Sequence, residues 1–143
     1  MLFRSVNKAF GEINATGMIG LFRSYNPEYK DGEFGRDFVY VKDAVDMTLH
    51  FGENTVGGLF NVGSGRMATW NALANATFAA MDRKPNIQYI DMPEHLRDRY
   101  QYHTQAYLTR IREAGYVADI MPLDEAVADY VQKYLIPGKH LGD

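Results

Sequence analysis

Cysteine is absent from the 143 residues. That excludes disulfide bonds and thiolate metal sites, and it fits a reducing compartment. No apolar run approaches the roughly 18 residues of a membrane span, and the N-terminus shows no signal-peptide hydrophobic stretch. An excess of one charge is also missing: 15 Lys and Arg against 18 Asp and Glu leave a net charge of -3, so nothing suggests a bulk nucleic-acid binder. His50, His95, His103 and His140 are scattered, without the i, i+4 pair of a helical metal site. Ser5 and Ser24 have no nearby His to make a hydrolase arrangement. Repeats and low-complexity segments are lacking. What is present is a hydrophobic content of 46%, enough to bury one core, so residues 1–143 read as a single domain or piece of one without an internal boundary. Ten Tyr and eight Phe are many for this length, and such residues line sugar and nucleotide sites as well as cores.

Leu2, Phe3, Val6, Phe10 and Ile13 fall near helical spacing, with Gly17 as a stop. This helix starts without a capping side chain, so the chain reads as the rear part of something longer. Strands are expected over 18–25, 36–41, 57–62 and 86–91, and helices over 42–54, 69–83, 104–115 and 122–136. Residues 26–35, with Pro27, Asp31-Gly32 and Gly35, form a loop or tight connection. Strands and helices alternate through the middle, which predicts an α/β layer arrangement.

The run GGLFNVGSGRMATWNALA carries Gly63, Gly65 and Ala68 as G-x-G-x-x-A after an expected strand, the outline of a dinucleotide turn. Asp91 ends a later strand, where a ribose-binding acid is sought. In a dinucleotide turn, however, the helix opens within the motif so that its N–H groups face the pyrophosphate. Here Thr69 is the best N-cap, four residues after Gly65, and Asp91 follows Gly65 by 26 residues. The spacing therefore predicts a structural strand–turn–helix.

RDFVYVKDAVD at 36–46, followed by GLFNVGSG at 58–65, resembles the C-terminal portion of extended short-chain dehydrogenase/reductases that act on nucleotide sugars. FRSY at 22–25, RDRYQYHTQAYLTRIREAGY at 97–116 and LDEAVADYV at 123–131 narrow the resemblance to the ADP-glyceromanno-heptose 6-epimerase family, from about Ser5 to Leu135. The resemblance implies an NADP-dependent isomerase that oxidises a heptose carbon, exposes the other face of the intermediate and returns the hydride, in lipopolysaccharide synthesis. It implies a cytoplasmic homo-oligomer with an ADP-heptose substrate, no nucleic-acid partner and no membrane partner. The family's N-terminal Rossmann portion, with its glycine-rich turn and Tyr-x-x-x-Lys pair, has no match here: no Tyr is followed by Lys four positions on. This chain alone is therefore expected to bind no cofactor and to contribute no catalytic residue. Two other readings stand beside this one: a piece of another nucleotide-sugar epimerase or dehydratase, and a non-catalytic truncated binding or assembly module.

The resemblance assigns substrate contacts to Phe22, Arg23, Ser24, Tyr25, Arg36 and Tyr100. The chemistry is compatible. Arg offers a planar fork to a diphosphate, and a phenol can stack on a base or donate to a phosphate. Each also has a plainer reading: Arg36 as a loop-end salt bridge, and the 22–25 stretch as an ordinary strand end. Asp37 and Asp43 read as structural. The segment around Leu2, Phe3 and Val6 is expected to expose an apolar face and to promote self-association.

Overall fold

The computed structural model describes residues 2–53 and 56–139. Helix α1 (Leu2–Thr16) buries Leu2, Val6, Ala9 and Ile13, one stripe at helical spacing. It stops at Gly17, whose left-handed φ of 74° no β-branched residue would adopt cheaply. β1 (Ile19–Phe22) follows, then β2 (Gly35–Asp37), α2 (Val41–Glu53), β3 (Met67–Thr69), α3 (Trp70–Ala80) and β4 (Ile87–Ile90). Short helices α4 (Glu94–Arg97) and α5 (Thr109–Glu113) precede α6 (Leu123–Tyr130), which runs into a π-helical turn over Val131–Leu135.

β1 pairs with β4 in parallel, Ile19 opposite Ile87 and Phe22 opposite Ile90. β2 pairs antiparallel with β3, Arg36 opposite Ala68. Gly35 sits where a side chain has no room: a Cβ there would overlap the Ala68 carbonyl oxygen. The main core gathers Leu2, Val6, Ile13, Leu21, Phe38, Leu73, Phe78, Val127 and Val131 between α1, β1, α3 and α6. A satellite core of Met47, Ile111, Tyr116 and Ile120 lies under α2 and α5. One polar cluster ties α2 to α6: the Asp129 carboxylate accepts from Tyr40 Oη and Lys42 Nζ at 2.6 Å each and pairs with Lys133.

The α/β reading holds, with four local corrections. Leu2 and Val6 are fully buried in the chain's own core, so only Phe3 of the expected apolar face is exposed. The 36–41 strand ends at Asp37, and Val41, β-branched as it is, opens α2 instead. The helix expected at 104–115 is confined to Thr109–Glu113. The expected strand at 57–62 forms no ladder among the described residues.

Candidate functional site

The C-terminal ends of β1 and β4 lie side by side, because the pair is parallel and in register through Phe22 and Ile90. Strand ends of this kind are where open α/β layers collect ligand contacts. Arg23 follows β1 and Asp91 follows β4, and the two pair at 3.7 Å. Arg23 also reaches Asp31 at 3.7 Å, while Asp31 Oδ1 accepts the Ser24 backbone N–H at 2.7 Å. Tyr25 donates its hydroxyl to Asp91 at 3.1 Å and its backbone N–H to the Tyr102 hydroxyl at 3.1 Å. The Arg97 guanidinium covers the Tyr25 ring at 4.0 Å. Asp91 thus serves Arg23 and Tyr25.

Tyr100 is the hub. Its ring meets Phe22 edge-on at 6.2 Å, Phe34 at 5.4 Å and Tyr102 at 5.4 Å. Arg36 lies over the same ring at 5.1 Å. The β2–β3 ladder fixes where Arg36 leaves the backbone, and its Nη1 donates to the carbonyls of Gly35 and Gln101. Among the described residues, Arg36 Nε and Nη2 make no hydrogen bond. Burial pushes the Tyr100 phenol up from its ordinary value, and the adjacent Arg36 charge only partly opposes it. Tyr100 is therefore a neutral donor at any physiological pH.

Behind this cluster is a cleft of about 320 Å³ walled by Phe22, Phe34, Trp70 and Tyr100, with Arg4, Lys8 and Glu12 of α1 on its other side. The Trp70 indole N–H is buried there and closes no well-formed hydrogen bond among the described residues; it approaches the Tyr100 hydroxyl only as a weak donor, which opposes the upward push of burial. Aromatic walls, a weakly engaged N–H donor and nearby cations suit a planar heterocycle carrying phosphate.

All six residues singled out in the sequence converge on this corner. Phe22 and Arg36 each meet the Tyr100 ring, and Tyr25, Ser24 and Arg23 form the adjoining rim. Phe34, Trp70 and Tyr102 were missed. Their only sequence signal is aromatic content, which reads equally as core.

The glycine turn has a different task. Asp37 Oδ1 accepts the Ser64 N–H at 2.6 Å, and Oδ2 accepts those of Gly65 at 3.0 Å and Ala106 at 2.9 Å. A loop of successive N–H groups is an anion cradle, and this one is filled by the chain's own carboxylate. After the turn comes strand β3, not helix. Thr69 then caps α3, accepting from Ala72 N at 3.0 Å. The turn does not fit a dinucleotide, whose phosphates would have to displace a like charge. Asp37 is structural, as expected. So is Asp43, whose Oδ2 accepts the Met121 N–H at 3.2 Å while burial pushes its carboxyl up. His50 is half-buried against the Ala114 carbonyl, and His103 is exposed. No cluster of metal-ligating side chains occurs among the described residues, and no described helix is long and apolar enough to cross a membrane.

Comparison with known proteins gives this geometry a context. No protein-family model matches the chain. Among solved structures, the UDP-N-acetylglucosamine 4-epimerase of Methanobrevibacter ruminantium superposes with a TM-score of 0.74 at 20% identity, over 92% of this chain and 39% of that one. The Helicobacter pylori ADP-L-glycero-D-manno-heptose-6-epimerase superposes with a TM-score of 0.70 at 22% identity, over 91% and 37%. The Thermus thermophilus UDP-glucose 4-epimerase, solved with NAD, matches at 0.66 with 18% identity, over 87% and 37%. The fold is accordingly one that these three epimerases share over somewhat more than a third of their own length.

Sequence narrows the class further. The ADP-L-glycero-D-manno-heptose-6-epimerase of Nitratidesulfovibrio vulgaris is 47% identical over 129 residues, covering 90% of this chain and 40% of that protein. The enzyme of the same name from Fusobacterium nucleatum is 40% identical over 142 residues, covering 94% and 42%. The chain is thus homologous to ADP-L-glycero-D-manno-heptose-6-epimerases, and it spans about 40% of the length of the curated relatives it matches.

Proposed function

We propose that this chain forms the part of an NADP-dependent ADP-glyceromanno-heptose 6-epimerase that grips the nucleotide sugar. The observation that carries the reading is Arg36. One of its nitrogens is fixed on two backbone carbonyls and its guanidinium carbon lies over the Tyr100 ring, which leaves the rest of the fork for a phosphate at the edge of an aromatic cleft. An Arg held in this way loses little freedom when it meets an anion. Phe22, Phe34 and Trp70 suit the purine, and the Trp70 N–H suits a ring nitrogen. Tyr100 donates to a phosphate oxygen or a sugar hydroxyl. Arg23, Ser24 and Tyr25 form the rim and order the loop through Asp31 and Asp91. Hydride transfer is left to NADP and to residues outside the stretch this chain shares with its relatives. The residues here bind, orient and desolvate.

The test is calorimetric titration of ADP-heptose into a chimera in which this chain replaces the 129 matched residues of the N. vulgaris enzyme. Arg36→Ala should weaken binding by about 10- to 150-fold, the equivalent of one charged hydrogen bond of ~1.5–3 kcal/mol, with NADP affinity nearly intact. Arg36→Lys should recover part of the loss, because it keeps the charge but not the fork. Tyr100→Phe should cost less than Arg36→Ala. Parent-like affinity of Arg36→Ala would make Arg36 a surface residue and end the assignment.

A further inference from the structure

Tyr102 holds both ends of one loop. Its hydroxyl accepts the Tyr25 backbone N–H at 3.1 Å, and its own carbonyl accepts the Gly35 N–H at 3.0 Å. Between those points its ring stacks on Tyr29 at 5.5 Å and 25° and meets Phe34 edge-on at 5.0 Å. Residues 25–35 thus close on a single residue. Inside the loop the backbone bonds are local: the Tyr29 N–H donates to the Asn26 carbonyl and the Glu33 N–H to the Lys30 carbonyl. The far end has a second fastening in Asn71, whose side chain donates to the Asp31 carbonyl and whose N–H donates to the Gly32 carbonyl. At the near end, the Tyr25 main chain is tied to a distant part of the chain through the Tyr102 hydroxyl.

Tyr102 does this from behind the site. Among the described residues the cleft is lined by Phe34 and Tyr100 but not by Tyr102, which packs on both, at 5.0 and 5.4 Å between rings. What Tyr102 controls is the rim. Arg23 pairs with Asp31 inside the loop and with Asp91 outside it. The same Asp31 accepts the Ser24 N–H. The places of Arg23 and Ser24 therefore depend on where the loop is closed. Ordering a loop of this length at the moment of binding costs affinity, and a loop ordered beforehand avoids that cost. We propose, resting on the substrate reading, that Tyr102 is a positioning residue for the nucleotide sugar. By clipping residue 25 to residue 35 it holds Arg23, Ser24 and Tyr25 at the mouth of the cleft before the ligand arrives.

Tyr102→Phe is the discriminating variant, since it keeps the ring and removes only the acceptor. The bond it breaks is exposed, so water replaces the lost partner and the urea midpoint should stay near the parent's. In this chain, exchange of the Tyr25 amide should quicken by about 5-fold or more, while that of Gly35, held by the Tyr102 carbonyl, stays as it was. In the chimera that tests Arg36, Tyr102→Phe should weaken ADP-heptose binding by about 3- to 10-fold, the range of one neutral hydrogen bond. That loss should disappear in a background of Arg23→Ala with Ser24→Ala, where the rim has little left to position, and should add in full to the loss from Arg36→Ala. A general loosening of the fold would add to both, and that result overturns the proposal. An unchanged Tyr25 amide overturns it as well. Parent-like affinity of Tyr102→Phe beside a weakened Arg36→Ala ends the positioning role and leaves the substrate reading standing, whereas parent-like affinity in both variants ends the two together.

Discussion

Replacing Asp37 should unfasten the glycine turn, and the size of the effect follows from three bonds. The carboxylate accepts Ser64, Gly65 and Ala106 N–H groups at 2.6, 3.0 and 2.9 Å. A hydrogen bond to a charged group is worth about 1.5–3 kcal/mol, and a donor stranded without a partner costs about 1–3 kcal/mol. The three are not additive, because they share one acceptor group. Asp37→Ala should therefore cost about 4 kcal/mol, a large share of the roughly 5–15 kcal/mol that holds such a domain together. Asp37→Asn is the sharper variant, since it keeps the shape. Its best orientation puts the amide oxygen where Oδ2 was, keeping Gly65 and Ala106, and then points an NH2 group at the Ser64 N–H. One bond of the three is lost and donor faces donor, for a cost of about 2 kcal/mol. Urea unfolding followed by circular dichroism measures both, with the slope checked for constancy. If Asp37→Asn unfolds at the parent's midpoint, the carboxylate does not fasten the turn, and an external anion could then occupy those amides.

Two further outcomes follow from the same structure. Burial pushes the Asp129 carboxyl up, but hydrogen bonds from Lys133, Lys42 and Tyr40 outweigh it and hold the group below its ordinary value of 3.8. A carboxyl depressed in the folded state stabilises above its unfolded value and loses that contribution as pH falls through the folded one. The urea midpoint should thus drop between about pH 4 and about pH 2 in the parent and fall less steeply in Asp129→Asn; parallel curves would remove Asp129 from the acid response. Fluorescence titration of this chain with NADPH should show no micromolar affinity, because the only glycine turn of dinucleotide outline is filled by Asp37, and saturable micromolar binding would contradict that geometry.

Much of the fold was legible because its signals are local. Leu2, Val6 and Ile13 mark the buried stripe of α1, and Thr69 marks the start of α3 through its own side-chain oxygen. The errors share a cause. Apolar pattern reports what a segment is able to bury, not whether a partner is at hand, so 57–62 was expected as a strand although the described residues offer it no ladder. Val41 has strand propensity, but α2 claims it because Met47 and Phe51 further along pack on the satellite core, and propensity yields to packing. β3 escaped notice because Met67–Thr69 is three residues long and owes its strand to β2, distant in sequence. At the site, the six residues came from resemblance, while the meeting of Phe22 and Arg36 at Tyr100, with Arg23, Ser24 and Tyr25 at the rim, came only from the parallel register of β1 and β4 and the ladder at Arg36. Phe34 and Trp70 carry no local mark separating a cleft wall from core filling.

Gly35 gives the corner an unusual vulnerability. Its missing side chain is what lets β2 approach β3 at Ala68, and Arg36 takes its position from that approach. A mutational survey by truncation to alanine looks for function lost with atoms removed; at position 35 the same survey adds an atom. A residue that sets where Arg36 leaves the backbone would then register as a folding defect, and the survey would score the corner as tolerating more sequence drift than its geometry permits.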